Sequence, residues 1–328
     1  MPFEHPRVVI VGGGAMGCLF GGLLAEGGLD VTIVDIWREH VDAINRNGLR
    51  FVGYGGDRAI VVQATSEPGS VHAADVVLFQ CKAFANQAAA RSVRHLFDGT
   101  SLAITFQNGL GNEETLAGVL GEENVLGGLT AQAALVIEPG VVRSFGDLPT
   151  YVGELEGGLS DRAVRIADAF TRHNLPARAS ADIKREKWKK LLGNVALGAL
   201  SAVTDLTSAE IVAIAELRAS ALRALDEAAA VADACGIALG EQEKREIFDK
   251  ITDLSGGGTG SSKSSMAADI AHRRRTEIDA IHGSVARLGR AHGVPTPTID
   301  VMIAMVKGLE SRYLAPADAG PAPTAPSA

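Results

Sequence analysis

Short, wholly apolar runs recur through the first half of the chain, and between them apolar residues return every three or four positions. Val8-Val9-Ile10-Val11 precedes a helical pattern over 16–26, and Val31-Thr32-Ile33-Val34 precedes another over 39–45. β-branched runs separated by helical stretches of this length predict βαβ units and a parallel sheet. Further strands are predicted at 60–62, 76–79, 102–106, 141–142 and 151–153, with helices at 86–96, 113–120 and 160–171. From about Asp182 the alternation stops. Segments rich in Ala, Leu, Glu, Arg and Lys at 183–200, 209–235, 242–254, 266–272, 276–292 and 298–309 predict an all-helical second half. The stretch 255–264, almost entirely Gly and Ser, reads as a loop, and 315–328, with four prolines among Ala, Gly and Ser, as a disordered tail.

Composition narrows the class of function. With 46% hydrophobic and 21% charged residues among 328, the chain is long enough for two separate cores. A formal net charge of −8 leaves no overall positive field for nucleic-acid phosphates or an anionic membrane, so neither partner is expected. The apolar runs are too short to span a bilayer and the first residues lack the pattern of a signal peptide, so a cytoplasmic protein is expected. Cys18, Cys81 and Cys235 lie far apart with no metal-ligand spacing, and read as small buried hydrophobes. No metal is expected.

The first candidate site is Gly12-Gly13-Gly14-Ala15-Met16-Gly17, a G-x-G-x-x-G between a strand and a helix. In that context Gly12 allows a tight turn, Gly14 lets backbone approach a pyrophosphate, and Gly17 lets the helix pack on the sheet, while amides at Ala15 and Met16 face the anion. Asp35, at the end of the second strand, is placed to accept hydrogen bonds from ribose hydroxyls and to repel a 2′-phosphate; it can also cap the helix that follows. NAD is the expected cofactor, with NADP as the alternative because Arg38 lies close by. The expected fold is an α/β N-terminal Rossmann-type doubly wound sheet followed by an all-α domain. Its parts are a dinucleotide-binding domain at 1–181, a helical substrate and catalytic domain at 182–314, and the tail.

Four further motifs follow in order: Cys81-Lys82-Ala83, Gln107-Asn108-Gly109, Trp188 to Asn194, and Ser264 to Asp269 with Arg274 to Asp279 behind it. Lys82 and Asn108 follow strands, so they emerge at the carboxyl edge of a parallel sheet, where cofactor and substrate bind; an Asn-Gly pair is equally a turn former. Lys190 and Asn194, four apart on a helix, share a face, and a partly desolvated lysine can protonate a carbonyl oxygen. Lys189 points elsewhere on that helix, and Lys184 and Lys187 are expected to face solvent.

Behind the glycine turn, this ordered set resembles the ketopantoate reductase (2-dehydropantoate 2-reductase) family over residues 7–310. The resemblance implies a reductase of a small 2-oxo acid, as in pantothenate biosynthesis. Lys190 would be the general acid, Glu277 its acidic partner, and Ser265 a substrate-binding serine beside Asn108 and Asn194. Read as residues alone, Glu277 is a first-turn acid, Ser265 a helix cap, and Asp269 either a support for the site or plain helix surface. Two positions depart from the family. Gly198 stands where an asparagine usually contributes to hydroxyl binding, and Asp35 stands where members preferring NADPH carry no acid. These departures favour a dehydrogenase of another 2-hydroxy acid or secondary alcohol as the alternative; a non-catalytic nucleotide sensor is a third reading. A homo-oligomer is compatible with the sequence.

Overall fold

The computed structural model describes residues 4–97, 99–255 and 259–315, so the expected tail beyond Ala315 and residues 256–258 of the Gly/Ser loop lie outside the described residues. The chain divides into two units, Met1–Gln107 with Gly111–Glu186, and Asn108–Leu110 with Lys187–Ala328. The division falls inside the first long helix of the second half rather than before it, and it assigns Asn108 to the second unit.

The first unit opens with β1 (Val8–Val11), α1 (Ala15–Glu26), β2 (Val31–Val34), α2 (Arg38–Asn47), β3 (Leu49–Gly53), β4 (Arg58–Ile60) and β5 (Gln63–Thr65). It continues through β6 (Val76–Phe79), α3 (Asn86–Ser92), β7 (Leu102–Thr105), α4 (Asn112–Leu120) and β8 (Val125–Thr130). Last come β9 (Ala134–Glu138), β10 (Val141–Ser144), β11 (Thr150–Gly153), α5 (Asp161–Arg172) and β12 (Ala177–Ser180). The main sheet has the order β12-β11-β8-β7-β6-β1-β2-β5, parallel from β5 to β8, with β11 antiparallel to β8. β1 lies between β2 and β6, so its carboxyl end is the point where successive connections diverge and a crevice opens.

A second sheet, β4-β3-β10-β9, was not anticipated from the sequence. It explains why α1 is apolar on every side. Gly21 presses on Ile10 and Ile33 of the main sheet, whereas a Cβ at Gly22 would stand 2.4 Å from the Phe51 ring in β3. A helix buried on both faces needs no polar stripe. The strand expected at 60–62 is divided between the sheets: Ile60 closes β4, Gln63 opens β5, and Val61 between them is 93% exposed. β8 escaped the apolar-run criterion because Gly127 and Gly128 interrupt it; a Cβ at Gly128 would meet the Phe106 ring at 2.5 Å. The expected helix 86–96 ends at Ser92 and gives way to a single 3-10 turn at Arg94–Leu96.

The described part of the second unit is helical: α6 (Ile183–Thr204), α7 (Ser208–Ala213), α8 (Ala215–Ala234), α9 (Glu241–Thr252), α10 (Ser265–Ala271), α11 (Ile278–His292) and α12 (Pro297–Glu310). Trp188, Leu191, Leu192, Val195 and Ala199 repeat at helical spacing on α6 and are buried with Ala224 and Ala228 of α8 and Ile281 and Val285 of α11. The expected single helix 209–235 breaks at Ile214, whose backbone is extended, with neither Gly nor Pro to mark it in the sequence. Lys187 is buried, not solvent-facing as expected, because it falls beside Trp188 and Leu191 on the inward side of α6.

Candidate active site

The turn between β1 and α1 is shaped by contacts only glycine permits. At Gly12 φ is +103°, and a Cβ there would overlap the Cys81 backbone at 2.3 Å; at Gly17 it would stand 1.8 Å from the Gly12 carbonyl. Around Gly14, by contrast, a Cβ would meet nothing within 4 Å. The turn is packed from below and open above. No side chain caps α1 and no acid lies in its first turn, so the amides at Ala15 and Met16 and their partial positive charge are left to that open side. These residues fit a dinucleotide pyrophosphate. The turn is also braced from behind: the buried Cys18 thiol donates to the Gly13 carbonyl at 3.0 Å and lies 3.2 Å from His40 Nε2, while the Gly140 amide donates to His40 Nδ1 at 3.1 Å. Burial pushes the Cys18 thiol pKa up, with the Asp35 charge adding to it, and holds the His40 imidazole below its ordinary value. Both are thereby kept neutral. Of the three cysteines, Cys18 is buried as expected, and Cys81 and Cys235 are only partly so.

Asp35 does not cap α2, whose N-cap is Trp37. Its carboxylate instead accepts from the Gly13 amide at 2.6 Å and from the Trp37 amide at 2.8 Å. This fixes a negative charge beside the phosphate turn while leaving lone pairs for further donors. Arg38 points to a different partner, lying 3.5 Å from Glu67 on the exposed surface. The arrangement fits ribose hydroxyls better than a 2′-phosphate.

The ends of β6 and β7 are joined by a buried amide network. The Gln107 amide donates to the Cys81 carbonyl and to Asn86 Oδ1 at 2.7 Å, Thr105 Oγ1 donates to Gln107 Oε1 at 2.7 Å, and Asn86 donates to Asn112 at 2.9 Å. Gln107 stands in the Gln107-Asn108-Gly109 motif without a role of its own, and Asn86 and Asn112 carry no site signal in the sequence, because nothing in consecutive residues pairs positions so far apart. Lys82 sits half-buried at the start of the turn that this network holds. Asn108 is half-buried in the second unit, where Gly109 has φ +86° and the Leu110 amide donates to the Ala280 carbonyl on α11 at 3.0 Å. The Asn-Gly turn is thus real, and its function is to lay backbone against α11.

In the second unit Lys190 and Glu277 are brought within electrostatic reach. Lys190 keeps partial solvent access as a residue, yet its ammonium is densely surrounded by protein. Burial lowers its pKa, the attraction of Glu277 opposes the fall and the Lys187 charge adds to it, with about 8 as the outcome. Glu277 is the N-cap residue of α11, not a first-turn acid. Lys189, on another side of α6, pairs with Glu243 at 3.4 Å.

One turn beyond Lys190, Asn194 and Ser265 line the same cavity, of about 130 Å3, and neither side chain has a hydrogen-bond partner among the described residues. Ser264, not Ser265, caps α10: its hydroxyl accepts from the Ala267 amide at 3.0 Å and donates to the Gly198 carbonyl at 3.0 Å. The cap therefore fastens α10 to α6 and leaves Ser265 exposed beside Asn194. Gly198, Leu197, Ile251, Met266 and Ile281 supply an apolar wall. A Cβ at Gly198 would meet only His282 Cε1, at 3.6 Å. His282 is buried and held neutral, its pKa lowered to about 4 by burial, with Nε2 3.0 Å from the Val195 carbonyl. Asp269 is not helix surface: it is buried and accepts from Arg274 Nε at 3.1 Å.

Comparison with known proteins agrees over nearly the whole chain. Residues 8–157 match the family model described as Ketopantoate reductase PanE/ApbA, and residues 182–310 match its C-terminal model. The chain is 32% identical to a 2-dehydropantoate 2-reductase of Halobacterium salinarum across 92% of this chain and 98% of that one. Among solved structures, a PanE/ApbA family ketopantoate reductase from Ralstonia eutropha JMP134 superposes with TM-score 0.86 and 31% identity, covering 93% of this chain and 99% of its own. A D-mandelate dehydrogenase solved with NADH and anilino(oxo)acetate superposes with TM-score 0.88 and 27% identity, again covering 93% and 99%. With both halves matched in order and a relative this similar over almost its full length, the chain belongs to the ketopantoate reductase PanE/ApbA family.

Proposed function

We propose that the protein is a nicotinamide-dinucleotide-dependent reductase of a small 2-oxo acid, of the 2-dehydropantoate 2-reductase type. When bound, the dinucleotide supplies the hydride. The chain's own residues do the rest. The turn at Gly12, Gly14, Ala15, Met16 and Gly17 holds the pyrophosphate and Asp35 the adenosine ribose, with Lys82 and Asn108 as further cofactor-binding residues. Asn194, Ser265 and Asn108 orient the 2-oxo acid. The Lys190 ammonium gives its proton to the carbonyl oxygen as negative charge develops there, and Glu277 keeps that ammonium charged until the transfer.

The observation that carries this reading is the environment of Lys190. A lysine whose pKa lies near 8 is mostly protonated at neutral pH and still acidic enough to give the proton up, which an ordinary surface lysine is not. The test is NADH consumption with a panel of 2-oxo acids. Lys190→Ala is expected to lower turnover by roughly 10²- to 10⁴-fold with dinucleotide affinity retained. Near-normal turnover in that variant would refute the assignment. A cytoplasmic location is part of the same proposal, supported by the three unpaired cysteines.

Gly198 favours a second reading of the substrate. The apolar wall with no side chain at that position suits a bulky apolar group beside the oxo acid better than a hydroxyl, as in a D-mandelate dehydrogenase. Comparing kcat/KM for ketopantoate and for an aromatic 2-oxo acid separates the two.

A further inference from the structure

Among the described residues the buried side-chain polar atoms without a partner are Gln80 Nε2, Gln132 Nε2, Gln132 Oε1 and His282 Nδ1. Gln132 is the residue that leaves both ends of one amide unpaired, and it is only 7% exposed. A buried primary amide forfeits its hydration at both donor and acceptor, so the chain has installed a costly group and given it nothing to bind. Its main chain is firmly placed. The Gln132 amide nitrogen donates to Thr130 Oγ1 at 3.1 Å, and that hydroxyl lies 3.2 Å from Thr150 Oγ1, tying the residue to the paired strands β8 and β11.

Gln132 stands two residues beyond the carboxyl end of β8, and β8, β7, β6 and β1 are successive parallel neighbours. At roughly 4.8 Å per strand, the end of β8 is about 14 Å along the sheet edge from the glycine turn after β1. Asp35 fixes the direction of the ligand. It lies at the end of β2, on one side of that turn, so a dinucleotide with its adenosine ribose there must lay its other half over β6, β7 and β8. The nicotinamide end carries a primary carboxamide, one carbonyl acceptor and one NH2 donor. That is the complement of a glutamine side chain, and two antiparallel N–H···O bonds satisfy both groups at once.

We infer that the unpaired Gln132 amide beyond β8 binds the carboxamide of the nicotinamide ring and so fixes which face of the ring is turned to the substrate. This rests on the dinucleotide reading above. Gln132 is a positioning residue toward the cofactor and takes no part in proton transfer.

The test measures affinity, on the full-length protein, for NAD+, for ADP-ribose, which lacks the nicotinamide, and for 3-acetylpyridine adenine dinucleotide, in which a methyl replaces the NH2. Gln132→Leu is expected to weaken NAD+ roughly 10- to 100-fold, the loss of two hydrogen bonds, and to leave ADP-ribose within about twofold. The unmodified protein should prefer NAD+ over the acetylpyridine analogue, and Gln132→Leu should bind the two alike. The thermal midpoint without ligand should not fall, because the variant removes an unpaired buried amide; Gln132→Met provides the same comparison with an unbranched side chain. Unchanged NAD+ affinity, an equal loss for ADP-ribose, or a lowered midpoint in both variants overturns the inference. Failure of the unmodified protein to bind ADP-ribose would instead remove the dinucleotide reading beneath it.

Discussion

If Lys190 is the proton donor, the pH dependence of the reaction is set by three charges on two helices. The Lys190 pKa of about 8 against an ordinary 10.5 corresponds to a penalty on the charged form on the order of 3 kcal/mol, at about 1.4 kcal/mol per factor of ten. Reduction needs the protonated amine. With a pKa near 8, about nine-tenths of the enzyme carries it at pH 7 and about one-tenth at pH 9, so kcat/KM for the 2-oxo acid should fall roughly tenfold across that interval. Oxidation of the corresponding 2-hydroxy acid needs the neutral amine, and its rate should rise over the same range. The two neighbouring charges give the reasoning a sign that can be checked. Glu277→Gln removes the attraction that holds the pKa up, so the alkaline limb should move to lower pH. Lys187→Met removes the repulsion that presses it down, so the limb should move to higher pH. Lys190→Arg keeps the positive charge but cannot release a proton near neutrality, and should be as inactive as Lys190→Ala. The assay is NADH absorbance under kcat/KM conditions from pH 6 to about pH 10. A limb that stays fixed in both neighbouring variants, or shifts in the opposite senses, refutes the assignment of the titration to Lys190.

The same displacement acts on stability. A lysine whose pKa is lower in the folded protein than in the unfolded chain costs stability wherever the folded form must carry the charge. That cost is complete below about pH 8 and disappears as the pH rises toward 10.5. Lys190→Met should therefore melt higher than the unmodified protein at pH 7, by at most about 3 kcal/mol, because Glu277 loses its cation in the exchange. The advantage should be gone near the top of that window. A variant that loses turnover while gaining stability in this pH-dependent way separates a functional lysine from a structural one.

Gly17→Ala should lose both dinucleotide affinity and roughly 1–3 kcal/mol of stability, since the added Cβ meets the Gly12 backbone oxygen at 1.8 Å; calorimetry with NADH and a thermal melt measure the two, and unchanged affinity contradicts the packing described for the turn. Asp35→Ala should reduce the preference for NADH over NADPH by roughly 10- to 100-fold, the value of a charge-assisted contact to the ribose, whereas an unmodified protein that binds NADPH more tightly rules out this role for Asp35. Gly198→Asn should fold, because its Cβ makes only an ordinary contact with His282, and should shift kcat/KM toward hydroxylated 2-oxo acids by roughly tenfold; selectivity that does not move excludes Gly198 as a determinant.

What could be read from the sequence was whatever is written in consecutive residues. β1 and β6 are unbroken apolar runs, β2 and β7 are apolar but for one threonine each, and the helices of the second unit carry their own period, so both kinds of element were visible without knowledge of a partner. The four-stranded sheet was not, because its reason lies in α1: Gly22 is small so that Phe51 can lie against it, and neither residue announces the other in sequence. β8 was hidden by the same logic, since its glycines exist to admit Phe106. Ile214 breaks a helix with no residue that ordinarily does so.

The site divides along the same line. Gly12, Gly14, Gly17 and Asp35 form a motif because one turn of backbone must satisfy one ligand, and the spacing is preserved in the chain itself. Lys190 could be singled out, but not its acidity, which depends on how closely protein surrounds it and on Lys187 lying on the buried side of α6. Lys187 was expected in solvent because a basic run such as Lys187-Trp188-Lys189-Lys190 does not reveal which of its members points inward; Trp188 and Leu191, by taking the core side, draw Lys187 in with them. Pattern can nominate a charged residue, then, but the functional quantity, a pKa or an unpaired amide, is fixed by tertiary burial. Among the described residues Gln132 and Lys190 are two places where this protein keeps a polar group in surroundings that stability alone would not choose; the roles proposed above, a carboxamide partner for Gln132 and proton transfer for Lys190, account for them.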